Sequence, residues 1–460
     1  MNKVKVEYAI IGSGTAGLGA YSRIRRKTDN FIMIQHGPYG TTCARVGCMP
    51  SKMLITAADH AHEITEGGFF GVNGSYQVDG VHVFERLRRD RAQKFVGGVL
   101  KQINDIPVEF KLKGFAKFAG PNTVVVDNSL TIEADKIIVA CGSRPNVPDV
   151  FKKIQKRLYT SDSIFEIENL PESLGVIGLG VIALELGQSF HRLGVKTTFF
   201  GRSGRTGDLT HPDMQGATLD VLSKELDIIP QGEVLDAWED DECAWVKYRL
   251  ASGDTIVRNF AAILVAVGRV SNIDKLNIQS TGVELDSKGF PYFDAQTMQC
   301  GESPIYIAGD ATDELPLWHE AYDEGRIAGD SALNFPEKVK GVRKVPLGIY
   351  FTDPQMAIVG KSFNQLAGVD IVIGDLPFRG PRHEVWNKTQ GRIQVYLEAR
   401  SGVILGAELL GYQAEHLAHL LALAITHKMT ADQVLEMPIY HPSAEEVLRN
   451  VLNQARFKLT

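Results

Sequence analysis

An α/β fold with a separate C-terminal α+β domain is what this 460-residue sequence predicts, on three observations. Two strand, glycine-turn, helix units stand far apart in the chain. Further apolar runs downstream of each end abruptly at a Gly-containing turn. From about Val342 the pattern changes to alternating strands and one apolar helix, with no glycine loop of its own.

The first unit runs from Val6-Glu7-Tyr8-Ala9-Ile10-Ile11 into Gly12-Ser13-Gly14-Thr15-Ala16-Gly17, then a helix and a strand over 31–34. The second runs from Leu174-Gly175-Val176-Ile177 into Gly178-Leu179-Gly180-Val181-Ile182-Ala183, then a helix and a strand over 195–200. In such a loop the first glycine permits the turn and the second admits a pyrophosphate close to the backbone. The third small residue lets helix and strand pack, and the phosphates rest on a helix N-terminus. Two Rossmann-like loops imply two dinucleotides. Between them a helical stretch is expected over 51–104, followed by short strands. The strands at 137–140 and 262–267, which stop at Gly142 and Gly268, mark the domain crossings, and a third strand ends at Gly309-Asp310, where a carboxylate can reach a hydroxylated ligand chain. The domain after residue 341 reads as a docking or dimer domain.

Composition narrows the function. Hydrophobic residues at 44% and charged residues at 23% are those of a globular protein. The 49 basic against 55 acidic side chains, a formal charge of −6, leave no cationic excess for nucleic acid. No apolar stretch approaches the roughly 18 residues of a membrane span, and the N-terminus lacks the apolar block of a signal peptide, so a cytoplasmic location is expected. The five cysteines argue against a disulfide scaffold there.

The chemistry concentrates in two places. Gly40-Thr41-Thr42-Cys43-Ala44-Arg45-Val46-Gly47-Cys48-Met49-Pro50-Ser51-Lys52 sets two thiols five residues apart. The spacer is wrong for a zinc knuckle and no second Cys or His pair matches it, so no metal is expected. On a regular helix the two would lie ~7.5 Å apart along the axis, too far for a bridge. A redox pair therefore needs a distorted turn, which Gly47 can supply, and a helix starting near Pro50 would favour a thiolate on Cys48. Near the C-terminus Tyr440-His441-Pro442-Ser443-Ala444-Glu445-Glu446 pairs an imidazole with a carboxylate, a base with its orienting partner. Ser443 and Glu446 also match a helix capping box. Cys141, Cys243 and Cys300 read as incidental thiols, His416 and His419 as packed or surface residues, and His319 and Glu320 are given no role.

Glycine loop, Cys-x4-Cys, second glycine loop, Gly-Asp strand and His-Pro-Ser-x-x-Glu, in this order along essentially the whole chain, resemble the flavin-dependent pyridine nucleotide-disulfide oxidoreductases of the lipoamide dehydrogenase type. The resemblance implies two Rossmann-like dinucleotide-binding domains plus a C-terminal α+β dimerisation domain: 1–148 with 270–340 for FAD, 149–269 for NAD(P), and 341–460 for the interface of a homodimer. FAD would bind at Gly12, Gly14, Gly17 and Gly142, with Gly309-Asp310 at the ribitol and Lys52 near the flavin ring, ion-paired to Glu185. The coenzyme would bind at Gly178, Gly180 and Gly268. Cys48 would face the flavin, Cys43 would exchange with a dithiol or disulfide, and His441 backed by Glu446 would be the acid–base serving the other subunit. The partner would be a small dithiol or a lipoyl-bearing carrier protein.

Departures count too. Gln35 stands where the family usually carries an acid for the adenosine ribose, implying weaker FAD anchoring. Gln355 replaces a usual Glu. After the second loop, Phe200-Gly201-Arg202-Ser203-Gly204-Arg205 offers two arginines in place of the acid that selects NADH, and arginine forks suit a 2′-phosphate. NADPH is therefore expected to be accepted at least as well as NADH, which opens an alternative: NADPH-dependent reduction of glutathione disulfide or another small disulfide. Mercuric reductase is disfavoured, because 455–460 carries no extra cysteine pair.

Overall fold

The computed structural model describes residues 2–459, which divide into two compact units. Among the described residues the first comprises 2–50, 86–146 and 269–344, and the second 51–85, 147–268 and 345–459.

The first unit is built on a sheet whose order is Lys111–Lys113, Phe31–Gln35, Asn2–Ile11, Leu130–Val139, Thr123–Val126 and Ala116–Gly120, with Ile305–Ile307 also paired to Leu130–Val139. The strands around Asn2–Ile11 are parallel, with Tyr8 opposite Phe31 and Ile10 opposite Ile138. Burial on both faces explains the unbroken apolar run there. Tyr8, Ile10 and Met33 pack toward Ala16, Ala20 and Ala328, while Ala9, Ile11 and Ile32 face Phe118, Val124 and Ile278. The helices Thr15–Ile24 and Trp318–Asn334 meet through small residues: a Cβ on Gly325 would stand 2.0 Å from Ala16 O.

The second unit carries a parallel sheet in the order Asp227–Ile229, Lys196–Phe200, Ser173–Ile177, Ala262–Val265 and Leu158–Tyr159. Its C-terminal part is a five-stranded antiparallel sheet, in the order Leu347–Tyr350, Gln355–Gly360, Ile404–Gly411, Arg392–Glu398 and Ile371–Pro377. The helices Ala414–Thr426 and Glu446–Arg456 share a core with it. The apolar stripe of the last helix, Val447, Leu448, Val451, Leu452 and Ala455, is wholly buried, the periodicity expected of a helix lying on a sheet.

Within this unit the helix Val181–Arg192 is a spine. Glu185 accepts a hydrogen bond from Phe351 N at 2.9 Å, Gln188 exchanges two with the Asp353 backbone at 2.9 Å each, and Arg192 reaches Asp353 Oδ2 at 3.3 Å. Residues 351–353 are thus laid along one face of the helix at i, i+3 and i+7. Arg192, its side chain 4% exposed, also forks onto Glu225 at 2.6 and 3.0 Å and touches Asp59 at 3.5 Å. Burial opposes ionisation of Glu225 and Asp353, yet the charge of Arg192 holds both carboxyls below their usual range. Burial dominates at Asp59 and pushes its carboxyl up to about 6.

Arg192→Met is expected to cost about 2 kcal/mol, because it removes the buried cation that holds the half-buried carboxylates Glu225 and Asp353. Lys3→Ala, at a bridge whose lysine side chain is 59% exposed, is expected to cost less than about 1 kcal/mol. Urea unfolding followed by circular dichroism compares them.

Candidate active site

Thr41 caps the short helix Thr42–Val46 by accepting from Ala44 N at 3.2 Å. The helix stops at Gly47, and a second helix, Cys48–Glu66, begins at the next residue, two positions before the start expected at Pro50. A Cβ on Gly47 would lie 3.1 Å from Cys43 Cα and from Thr42 O, so the turn folds back on Cys43 and only glycine fits without a shift. Cys48 occupies the first turn of the long helix, the electropositive end that favours a thiolate. The remaining cysteines differ. Burial pushes the thiols of Cys141 and Cys300 up to about 12, which suppresses their nucleophilic form, and Cys243 Sγ accepts from Asn259 Nδ2 at 3.5 Å.

One turn into the same helix, Lys52 Nζ lies 2.6 Å from Glu185 Oε2 and 4.4 Å over the Phe351 ring. The Glu185 side chain is only 5% exposed, and its other oxygen holds Phe351 N at 2.9 Å.

His441 Nδ1 lies 3.0 Å from Glu446 Oε1, with the carboxylate 2% and the imidazole 68% exposed. Glu446 also accepts from Ser443 N at 3.3 Å and from Arg449 Nη2 at 3.0 Å. The capping box suggested by the sequence is only half made. Ser443 Oγ has no hydrogen-bond partner, and the N-cap residue is Glu445, without a side-chain cap. Glu446 is engaged by the imidazole first, and that hydrogen bond holds its carboxyl below the usual range. His416 and His419 are exposed on their helix.

The two glycine loops repeat one solution. Gly12 has φ +112° and a Cβ there would strike Ala140 O at 2.1 Å; Gly178 has φ +116° and would strike Ala266 O at 2.4 Å. Gly14 and Gly180 face open space, and each begins a helix without a side-chain cap, leaving amides free for an anion. Gly17 closes on Gly12 O at 1.9 Å, and Ala183 fills the third position in the second loop. Both cradles have room for a pyrophosphate where a side chain would close it. Gly142 and Gly268, with positive φ, also face open space. Gly309 N donates to the buried Glu324 at 2.7 Å, and Asp310 accepts from Ser143 Oγ at 2.5 Å, itself bonded by Arg269 Nε at 2.8 Å. The Ser143 and Arg269 supports were not legible as a site, because they converge from separate segments. Burial pushes Glu324 up to about 7 against the pull of Arg343, which bridges it to Glu320 at 2.8 and 3.1 Å.

The departures acquire causes. Gln35 Oε1 accepts from both Ser13 N and Ser13 Oγ at 2.8 Å, which ties the strand end to the first glycine loop. Gln355 brackets Glu415 at a helix start, accepting from Glu415 N at 3.1 Å and donating to its carboxylate at 3.2 Å, a place where a glutamate would meet like charge. At Gly201 a Cβ would lie 2.4 Å from Leu179 Cδ1 and 2.7 Å from Pro230 O. No acid fits there as the backbone stands, while Arg202 and Arg205 are exposed.

Among the described residues no His/Cys/Asp/Glu group of metal-binding form occurs, and no helix is long and apolar enough to cross a membrane. Residues 6–325 match the family model for pyridine nucleotide-disulphide oxidoreductases, and residues 347–452 match that family's dimerisation domain. The chain belongs to the pyridine nucleotide-disulphide oxidoreductases. Enzymes of this family use FAD and NAD(P). A dihydrolipoyl dehydrogenase of Haloferax volcanii is 30% identical over 98% of this chain and 97% of its own, and a mercuric reductase of Staphylococcus aureus is 28% identical over 93% of this chain and 78% of its own. The HOCl-induced flavoprotein disulfide reductase RclA of Escherichia coli, solved as a Cu(II) complex, shares the fold: TM-score 0.81 at 22% identity, over 98% of this chain and 99% of that one.

Because the native carboxyl of Glu446 is held below its ordinary 4.5, its contribution to stability is present above that pH and fades as pH falls through the lower native value. Wild type is therefore expected to exceed Glu446→Gln in melting temperature at pH 7, with the gap narrowing as pH falls below 4.5. A pH series of thermal melts checks this.

Proposed function

We propose that this oxidoreductase exchanges electrons between NAD(P) and a small dithiol of the dihydrolipoamide kind, through Cys43 and Cys48. One observation carries the reading: an outward-facing imidazole, 68% exposed, is held by a buried carboxylate at 3.0 Å, the arrangement of a base offering its other nitrogen to a thiol beyond its own fold. In a homodimer built on the 347–452 domain, that thiol belongs to the second copy. The likeness to dihydrolipoyl dehydrogenase supports the substrate class. A cytoplasmic enzyme with a lipoyl-bearing carrier protein or a free small dithiol as partner follows from the same reading.

A substrate thiolate attacks Cys43 Sγ of the oxidised pair, the S–S bond breaks, and Cys48 leaves as a thiolate at its helix N-terminus. The substrate's second thiol gives its proton to His441 Nε2 and displaces Cys43, releasing the substrate disulfide and leaving both cysteines reduced. Glu446 holds the imidazole tautomer and favours the imidazolium. When bound, FAD supplies the two-electron relay between the dithiol and the nicotinamide. Gly12, Gly14, Gly17, Gly142, Gly309 and Asp310 would hold it, with Gln35 at the adenosine end and Lys52, fixed by Glu185, on the flavin side. Gly178, Gly180 and Gly268 would hold the coenzyme, with Arg202 and Arg205 on its 2′-phosphate.

The closed position at Gly201 favours a second reading, in which NADPH drives reduction of a small disulfide. Anaerobic titration with dihydrolipoamide is expected to raise the long-wavelength thiolate–flavin absorption band near one equivalent. A silent titration, with NADPH raising the same band, would replace the first reading by the second. NADPH is expected to match or exceed NADH at equal concentration, and a tenfold advantage for NADH would sink the assignment of Arg202 and Arg205.

A further inference from the structure

Glu408 is a fully buried carboxylate in the strand Ile404–Gly411 of the C-terminal sheet. It accepts from Thr210 N at 2.7 Å, Thr210 Oγ1 at 2.6 Å, His211 N at 3.1 Å and Phe363 N at 3.1 Å, and no cation pairs with it among the described ion pairs. Thr210 Oγ1 in turn accepts from Asn364 N at 3.2 Å. A buried acid without a cation is a costly way to join two segments, since an apolar contact would do so without the desolvation penalty. What it gains is directional: three donors from Thr210 and His211 fix the end of one loop to a rigid strand, and a fourth, Phe363 N, ties in a second segment. The same carboxylate, after burial itself, pushes the neighbouring Tyr396 phenol up.

The loop so fixed spans residues 201–211. Its start is set by Gly201, closed against Leu179 and Pro230, and by Gly204 N on Pro230 O at 2.9 Å. Its middle is set by Gly207 N on Leu179 O at 2.8 Å, and Leu179 lies between the two glycines of the coenzyme cradle. Its end is held by Glu408, by Asn364 N on Thr210 Oγ1, by Gln394 Nε2 at 3.3 Å from His211 Nδ1, and by Gln215, which accepts from Thr206 N at 2.8 Å and donates to Leu209 O. Arg205 lies between these anchors, with Asp208, whose burial raises its carboxyl and whose field Arg205 opposes, as the charged neighbour on the same loop.

We propose that Glu408, through Thr210, is a positioning residue for coenzyme selection: it holds the loop in the shape that presents Arg205 to the 2′-phosphate, so a residue of the C-terminal domain sets NADPH preference. This rests on the assignment of Arg202 and Arg205 made above.

Calorimetry on the FAD-loaded protein with adenosine 2′,5′-bisphosphate and, separately, 5′-AMP reads this without turnover. Arg205→Ala is expected to weaken the bisphosphate about tenfold and leave 5′-AMP unchanged, a loss in the range of one charge-assisted hydrogen bond. Glu408→Gln and Thr210→Val are expected to weaken the bisphosphate about three- to tenfold, again leaving 5′-AMP unchanged, while Thr210→Ser, which keeps the hydroxyl, retains wild-type binding. Unchanged 5′-AMP affinity shows that each variant is folded at the cradle. If Arg205→Ala is selective but Glu408→Gln weakens both probes alike, or neither, the positioning role is overturned. If Arg205→Ala is not selective, the coenzyme assignment itself falls, and this inference with it.

Discussion

Arg192 is a cation with almost no water around it, and it is stable there because Glu225, Asp353 and Asp59 converge on it from three segments. That convergence organises the second unit. The helix bearing Arg192 starts at the second glycine loop, so the same rod that offers its N-terminus to a pyrophosphate is bolted at its far end. Lys52–Glu185 and Asp59–Arg192 repeat one heptad apart on both helices, with the charges reversed. Two such rungs set both the spacing and the register of the helix Cys48–Glu66 against the helix Val181–Arg192. The 351–353 strap locks that register by taking its hydrogen bonds from the same face. A single rung would leave the helices free to rotate about it.

The glycine loops were readable from sequence because their constraint is local and absolute. Gly12 and Gly178 have left-handed backbone and a carbonyl where a Cβ would be, and nothing but glycine meets both conditions. His441 and Glu446 were readable because five residues of chain suffice to bring them together. Gln355 was not, since its reason is Glu415, across the fold. The Arg192 cluster was invisible for the same cause, with each member an unremarkable charge until packing gathers them. Ser443 shows the opposite failure. Its spacing to Glu446 is right for a capping box, but the helix starts too late for its hydroxyl to take part. A local motif records what a residue could do, and the competing partner, here the imidazole, decides what it does.

The two nucleotide cradles share a backbone and differ in what stands at the end of the adjoining strand. In the first unit Gln35 spends its carbonyl oxygen on Ser13, fastening strand to loop with a neutral group. In the second, the corresponding corner has no side chain at all, and the positive charge comes from the loop beyond it. Cradles of like backbone thus stand beside strand ends of different chemistry, so any discrimination at the ribose would come from outside the phosphate loop.

The closed corner at Gly201 bears on how this enzyme could change over generations. A lone codon change to aspartate or glutamate, the shortest route to an acidic ribose clamp, would drive the new side chain into Leu179 and the Pro230 carbonyl. The Leu179 methyl can swing aside, but the Pro230 carbonyl is backbone, 2.7 Å from where the new Cβ would stand, so the strand end itself would have to shift first. A change toward an acidic clamp therefore has to move main chain beside the phosphate loop before the new carboxylate makes any contact of its own. If Arg202 and Arg205 read the coenzyme as proposed, that preference is protected less by selection for the arginines than by the absence of a downhill first step away from them.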